Sequence, residues 1–368
     1  MKKLSLGILI VLIALSLSGI VVAQNRGREN STEFVRIIAP GTSFLDRLTY
    51  RAKGCKIVHE LNDATALRCP KNVQIEGGFE DQIYYIMDLA ADQQINADDV
   101  WALGYTGKDV TVAVLDTGID YNHPELSSSF AGCKSFVSYT ESCFDDHGHG
   151  THVSGIITAD GIDTNAKGVA PDAKVWMAKV CDSSGSCYSS DIAAAIEYVV
   201  NNKVAKIMSI SLGGGGTNKA NCDTDYLAQK VNWAVDNGMT VVAAAGNTAG
   251  KVSSPACASK AIAVGAVDKN DVRARWSGSG LALDIMAPGV NIYSTLPNNS
   301  YASWSGTSMA TPHVSATVAL LLQKNSNLTD SQIKDALYKT AKDLGKVGWD
   351  KYYGWGRVDA LGAINYVK

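Results

Sequence analysis

The chain reads as an α/β protein built on a doubly wound, mostly parallel sheet with helices on both faces, and three observations lead there. From about Lys108 onward, short apolar runs bounded by polar or turn residues alternate with stretches of helical apolar spacing. A succession of strand, helix and strand makes neighbouring strands parallel and lays helices over both faces of the sheet. The composition is that of a globular protein able to form a sizeable core: 368 residues, 46% hydrophobic and 19% charged, with 34 Gly and 8 Pro. Lys plus Arg number 33 against 36 Asp plus Glu, a formal charge of −3, and no stretch concentrates one sign. Nucleic-acid binding therefore has little electrostatic support.

Taken in order, the chain opens with Lys2 and Lys3, an apolar run from Leu4 to Val22 broken only by Ser and Gly, and Val21-Val22-Ala23 before Gln24. This predicts a signal peptide over residues 1–23. The alternative is an N-terminal membrane anchor, since the run approaches the ~20 residues that span a bilayer. No later run approaches that length, so no stable membrane insertion is expected after cleavage. Export would let the eight cysteines pair as four disulfides. Residues 24–90 lack helical apolar periodicity and carry β-rich runs such as Phe34-Val35-Arg36-Ile37-Ile38, which predicts a small separate unit. Within it, Leu61-Asn62-Asp63 is expected to be a three-residue hairpin loop, a register that sets Cys55 opposite Cys69 for a cross-strand disulfide.

In the larger part, residues 91–368, the buried-strand candidates are Val110 to Leu115, Lys174 to Val180, Ile207 to Leu212, Thr240 to Ala245 and Ala261 to Val267. Helical spacing follows Ser190-Asp191 through Ile192, Ala193, Ile196, Val199 and Val200, and runs again through Leu227, Val231, Ala234 and Val235 up to Gly238, a C-cap candidate. In such folds ligands and chemistry gather at the carboxyl ends of the strands. No internal repeat, heptad run or low-complexity tract interrupts the pattern.

Four places carry residues suited to chemistry. Asp116, at the end of the first of these strands, is placed to orient a base, or simply to cap the following turn. His149 lies in His147-Gly148-His149-Gly150-Thr151-His152 before an apolar run that can open a helix. The zinc spacings and partner ligands are missing there, so a general base fits better than a metal ligand. Ser308, in Gly306-Thr307-Ser308-Met309-Ala310-Thr311-Pro312-His313, precedes an apolar helix through Leu322. A serine there either caps the helix or sits where free N–H groups favour a developing negative charge. Asn247, just past Val241 to Gly246, is either a turn residue or an amide able to donate to an oxyanion.

Taken together, the wording and order of these segments closely resemble the subtilisin-like serine proteases over about residues 95–368: Asp-Thr-Gly, then His-Gly-Thr-His, then Ala-Ala-Gly-Asn, then Gly-Thr-Ser-Met-Ala. Residues 34–90 more weakly resemble that family's N-terminal propeptide, a small α+β domain. The resemblance implies a secreted serine endopeptidase with Ser308 as nucleophile, His149 as base and then acid, and Asp116 holding the imidazolium. Asn247 and the backbone N–H of Ser308 would form the oxyanion hole. It also implies that Ser211-Leu212-Gly213 pair with extended substrate backbone as one wall of the first specificity pocket. Ala245-Gly246-Asn247 and the stretch near Ser254-Pro255-Ala256 would form the opposite wall. Neither wall contributes an acid, so apolar or aromatic side chains are expected before the scissile bond.

The same resemblance implies that residues 24–90 assist folding, inhibit the enzyme and are cut off by it, with the junction between Tyr84 and Gln94. Cys55 and Cys69 then fall in one part and six cysteines in the other. Six allow fifteen connectivities; short spacing favours Cys133 with Cys143 and Cys181 with Cys187, leaving Cys222 with Cys257. The chemistry needs no cofactor. The segment Asp160 to Asn165 matches in position a family loop that can hold calcium, with Glu125 as a contributing carboxylate. This makes Glu125, Asp160 and Asp163 candidate Ca²⁺ ligands, or else parts of a solvated loop. The partners expected are protein and peptide substrates and the chain's own propeptide, with the enzyme a monomer. A catalytically silent fold used for binding, or a peptide ligase sharing the acyl-enzyme, are the alternatives. All four residues that a silent relative would have lost are present.

Overall fold

The computed structural model describes residues 34–80, 89–218 and 220–368, in two compact units, Met1–Tyr85 and Ile86–Lys368. The predicted signal peptide, and much of the interval in which the junction is expected, lie outside the described residues.

The first unit orders as β1 (Phe34–Pro40), α1 (Phe44–Ala52), β2 (Lys56–Glu60), β3 (Ala64–Pro70) and β4 (Phe79–Glu80), giving an antiparallel sheet in the order β2-β3-β1-β4. Tyr50, Cys55, Leu67 and Cys69 are buried at its centre. Helix α1 was not legible in the apolar pattern, because Phe44, Leu45 and Leu48 are exposed and only Tyr50 is buried. It starts instead from a reciprocal capping box, in which the Ser43 hydroxyl accepts from the Asp46 N–H and the Asp46 carboxylate accepts from the Ser43 N–H. The hairpin between β2 and β3 departs from the expected register by one residue: Glu60 pairs with Thr65 rather than Ala64. A bulge at Val58, between Ile57 and His59, takes up the extra residue, so Lys56 again faces Arg68 and Cys55 is bonded to Cys69.

The second unit begins with α2 (Leu89–Gln94) and α3 (Ala97–Ala102), then β5 (Thr111–Asp116), β6 (Phe130–Ser135), α4 (His149–Thr158), β7 (Lys174–Lys179), α5 (Ser189–Asn201) and β8 (Ile207–Ile210). It continues with β9 (Gly214–Asn218), α6 (Tyr226–Asp236), β10 (Thr240–Ala244), β11 (Val252–Ser254), β12 (Ile262–Val267), β13 (Ile285–Pro288), β14 (Ile292–Leu296) and β15 (Ser300–Trp304). The last elements are α7 (Thr307–Lys324), α8 (Asp330–Thr340) and α9 (Ala360–Tyr366). Seven strands make one sheet in the order β13-β12-β10-β8-β5-β7-β6, and every pairing in it is parallel.

The period of two along each strand builds two cores. Val112 and Val114 of β5 join Val175, Met177, Ile207 and Val242 beneath α4 and α7, whereas Ala113 and Leu115 join Met208, Ile210, Val241 and Ala243 beneath α5 and α6. All five strands expected from the sequence are present within a residue or two at each end. Strands β6 and β13 were not foreseen. Phe-Ala-Gly-Cys-Lys-Ser is a polar, bulged edge strand, and Ile-Met-Ala-Pro is four residues long, too short to show a pattern. Gly238, with φ +90°, follows α6 in the left-handed conformation that ends a helix.

Helix α7 is buried on every side, so its polar side chains are satisfied internally: Thr311, Thr317 and Ser315 donate to carbonyls one turn back, and Ser315 also to Ser209. The six cysteines of this unit pair as Cys133–Cys143, Cys181–Cys187 and Cys222–Cys257, as spacing favoured. Among the described residues no helix is long and apolar enough to cross a membrane.

Candidate active site

Asp116 is the last residue of central strand β5, delivered to the carboxyl edge of the sheet and buried there. Its Oδ1 accepts from the Thr117 N–H at 2.7 Å and meets His149 Nδ1 at 2.8 Å, while Oδ2 is buried without a hydrogen-bond partner. His149 is the first residue of α4, preceded by Gly148 at φ +107°, a conformation side chains rarely adopt. Burial alone lowers an imidazole pKa, but the charge and hydrogen bond of Asp116, with the charge of Asp145, outweigh it and hold His149 above its ordinary value.

The frame around that histidine is a second carboxylate that sequence reasoning missed. Asp145 is buried and accepts five hydrogen bonds: at Oδ1 from Thr117 Oγ1 and the N–H groups of His147 and Gly148, and at Oδ2 from Thr151 N–H and Oγ1. Next to it, Lys179 is wholly buried and donates to the Thr117 carbonyl and to Asp146 Oδ1. Helix α4 is fastened to β14 by Ser294 and Thr295 hydroxyls on the carbonyls of His152 and Thr151. Gly155 permits this approach, because a Cβ there would lie 2.3 Å from both hydroxyl oxygens. The Trp304 ring stacks on His152 at 4.7 Å and faces His149 at 6.2 Å. Burial pushes His152 down to about 4, and His313 likewise, so both are neutral scaffold residues at neutral pH.

Ser308 is the second residue of α7, with Gly306 at the N-cap. Its hydroxyl donates to the Ser211 carbonyl at 2.9 Å, and the Ser211 hydroxyl donates to the Ser308 carbonyl at 2.9 Å. The second bond has a cause in the sequence. Pro312 lies four residues after Ser308 and has no N–H to give that carbonyl, so Ser211 supplies the donor from the neighbouring strand end. Asn247 follows β10, and its Oδ1 accepts from both the N–H and the hydroxyl of Thr307, each at 3.0 Å. With its oxygen so engaged, the Asn247 Nδ2 is turned toward Gly306, 3.4 Å from where a Cβ would sit. The Thr307 hydroxyl in turn accepts from the Gly246 N–H at 3.1 Å. No pattern in the sequence singles out Thr307 for this task.

Asp116, His149, Ser308, Asn247, Ser211, Leu212 and Gly213 all line one cavity of about 750 Å³. The arrangement supplies an imidazole backed by a carboxylate, a hydroxyl at a helix N-terminus and an amide donor beside it, the parts needed for acyl transfer. One feature of the lining was not foreseen. Asp225, the N-cap of α6, also lines the cavity and accepts from the Ser254 hydroxyl, so the wall expected to be free of acid has a carboxylate bonded to it.

The calcium expectation does not fit the donor set. Glu125 is buried, and its oxygens accept from the N–H groups of Gly161, Ile162 and Asp163 and from the Tyr301 hydroxyl. Asp163 accepts from Asn165 and Tyr293, and Asp160 accepts from Ser128 on both oxygens. Backbone donors face Glu125, and among the described residues no group of three or more His, Cys, Asp or Glu is arranged to hold a metal. The carboxylate closes this loop directly.

Comparison with known proteins bears on the same region. The profile of the subtilase family matches residues 107–356. Subtilisin Savinase of Lederbergia lenta is 45% identical over 261 residues, covering 71% of this chain and 92% of that protein. Subtilisin DY of Bacillus licheniformis is 42% identical over 274 residues, 73% of this chain and 96% of that protein. An alkaline protease of Alkalihalobacillus alcalophilus is 45% identical over 261 residues, 71% of this chain and 65% of that protein.

Proposed function

This chain belongs to the subtilase family of subtilisin-like serine proteases, and from that premise we propose that it is a secreted endopeptidase made as a self-processing precursor. The observation that carries the reading is the convergence of Asp116, His149, Ser308 and Asn247 on one cavity. Rotation of the Ser308 hydroxyl from the Ser211 carbonyl toward His149 Nε2 gives the attacking arrangement. The hydroxyl oxygen bonds to the peptide carbonyl carbon while His149 takes its proton. The carbonyl oxygen, now negative, accepts from Asn247 Nδ2 and the Ser308 N–H. His149 then returns the proton to the leaving amine, an acyl-enzyme remains on Ser308, and water, deprotonated by the same imidazole, releases it. Asp116 keeps the imidazole oriented and stabilises its charged form. Ser211, Leu212 and Gly213 pair with extended substrate backbone.

The test expresses residues 24–368 under oxidising conditions as wild type and as Ser308→Ala, and records intact masses after incubation. A wild-type split between about residues 84 and 94, absent from Ser308→Ala, is the expected result. Both chains remaining intact and folded, with no hydrolysis of a peptide library, would remove the reading.

A further inference from the structure

We propose that Asp225 gives the substrate cleft a preference for a basic side chain over an acidic one at the subsite it faces. The inference rests on the hydrolase reading above and concerns the same cavity.

Among the described residues lining that cavity there is no Lys or Arg. Its two carboxylates are Asp116, already committed to His149, and Asp225. Asp225 is half-buried, and its Oδ1 accepts from the N–H groups of Leu227 and Ala228, both at 3.1 Å, and from the Ser254 hydroxyl. None of those donors is a cation that would neutralise the carboxylate. The position is also rigid. Asp225 N–H donates to the Cys222 carbonyl at 2.7 Å, Cys222 N–H donates to the Cys257 carbonyl at 3.0 Å, and the two cysteines are joined by a disulfide. Ser254 lies three residues before Cys257, so the same staple holds donor and acceptor together.

A fixed negative charge in a concave, partly desolvated cleft attracts a substrate ammonium or guanidinium and repels a carboxylate. The preference expected is about tenfold in kcat/KM for Lys or Arg over their uncharged isosteres, and a similar factor against Glu.

The experiment is positional scanning with fluorogenic peptides, comparing wild type with Asp225→Asn. Asparagine caps a helix as well as aspartate and keeps an oxygen for Ser254, so the variant removes the charge and leaves the cap. The expected result is a basic preference at one scanned position, read as the ratio of Lys to Leu peptides there, that vanishes in Asp225→Asn. The preference should also shrink in wild type as salt is raised from 0.01 to 1 M, a readout that needs no variant. Superposable profiles at every position, insensitive to salt, would overturn the proposal. If wild type cleaves nothing, the hydrolase reading fails separately. Binding of the Lys and Glu peptides to Ser308→Ala, against Ser308→Ala/Asp225→Asn, then still reads the charge preference: equal affinities in the two proteins overturn it, and loss of the Lys preference with Asp225→Asn upholds it.

Discussion

At the scale of single residues, His149 is pulled two ways. Burial favours the neutral ring and two carboxylates favour the charged one, and the carboxylates prevail. Since the base must be neutral to accept a proton, kcat/KM for a neutral peptide is expected to rise with pH at a midpoint above the ordinary imidazole value of about 6.5. Asp116→Asn removes the larger of the two attractions, so the midpoint should move down while the rate falls by about ten-thousandfold. A pH–rate profile of both proteins checks it, and an unmoved midpoint would mean that Asp116 does not govern His149. This pairing was legible in the sequence through the family resemblance: the end of an apolar run left Asp116 a second reading as a turn cap, and the wording and order of the segments together implied the pair. Asp145, Thr307 and Asp225 were not legible. Each works through backbone groups or side chains far away in the chain, and spacing along a sequence carries no sign of that.

At the scale of elements, charge inside the fold sets two expectations. Asp284 precedes β13, and its Oδ2 accepts from the Ala263 N–H at 2.8 Å; burial raises its pKa to about 6. The folded chain therefore holds this proton more tightly than the unfolded one. The associated stability is present below pH 3.8 and lost as pH rises through about 6. On the order of 3 kcal/mol is involved. Denaturant titrations of the Ser308→Ala protein across that interval should show the slope, and Asp284→Asn should flatten it. The second expectation concerns the loop at Gly161 to Asp163. Glu125→Gln presents an amide to donors that need an acceptor, so a loss of about 1–3 kcal/mol is expected, seen as a Tm lower by several degrees. A chelator should leave the wild-type Tm unchanged. A chelator-dependent drop that disappears in Glu125→Gln would return calcium to this loop. The calcium expectation came from the position of the loop, which is visible in sequence; the direction its N–H groups point is not. Strand candidates fared better, because a strand buried on both faces writes itself as a continuous apolar run, whereas edge strand β6 and helix α1 bury too little to leave one.

At the scale of the whole molecule, the two cores on either face of the parallel sheet follow from the alternation of strand and helix that the sequence displays, and the boundary near Tyr85 falls where that alternation has not yet begun. The self-processing experiment belongs to this scale, since it asks one unit of the chain to cut the connection to the other. The disulfides determine whether a covalent link would outlast such a cut. Cys55–Cys69 closes within the first unit, the other three close within the second, and no cysteine is left over. No sulfur bridge therefore tethers one unit to the other. Were the peptide link severed, no covalent bond would join the two pieces, and a denaturing electrophoresis gel run without reductant is expected to resolve two bands as readily as one run with it.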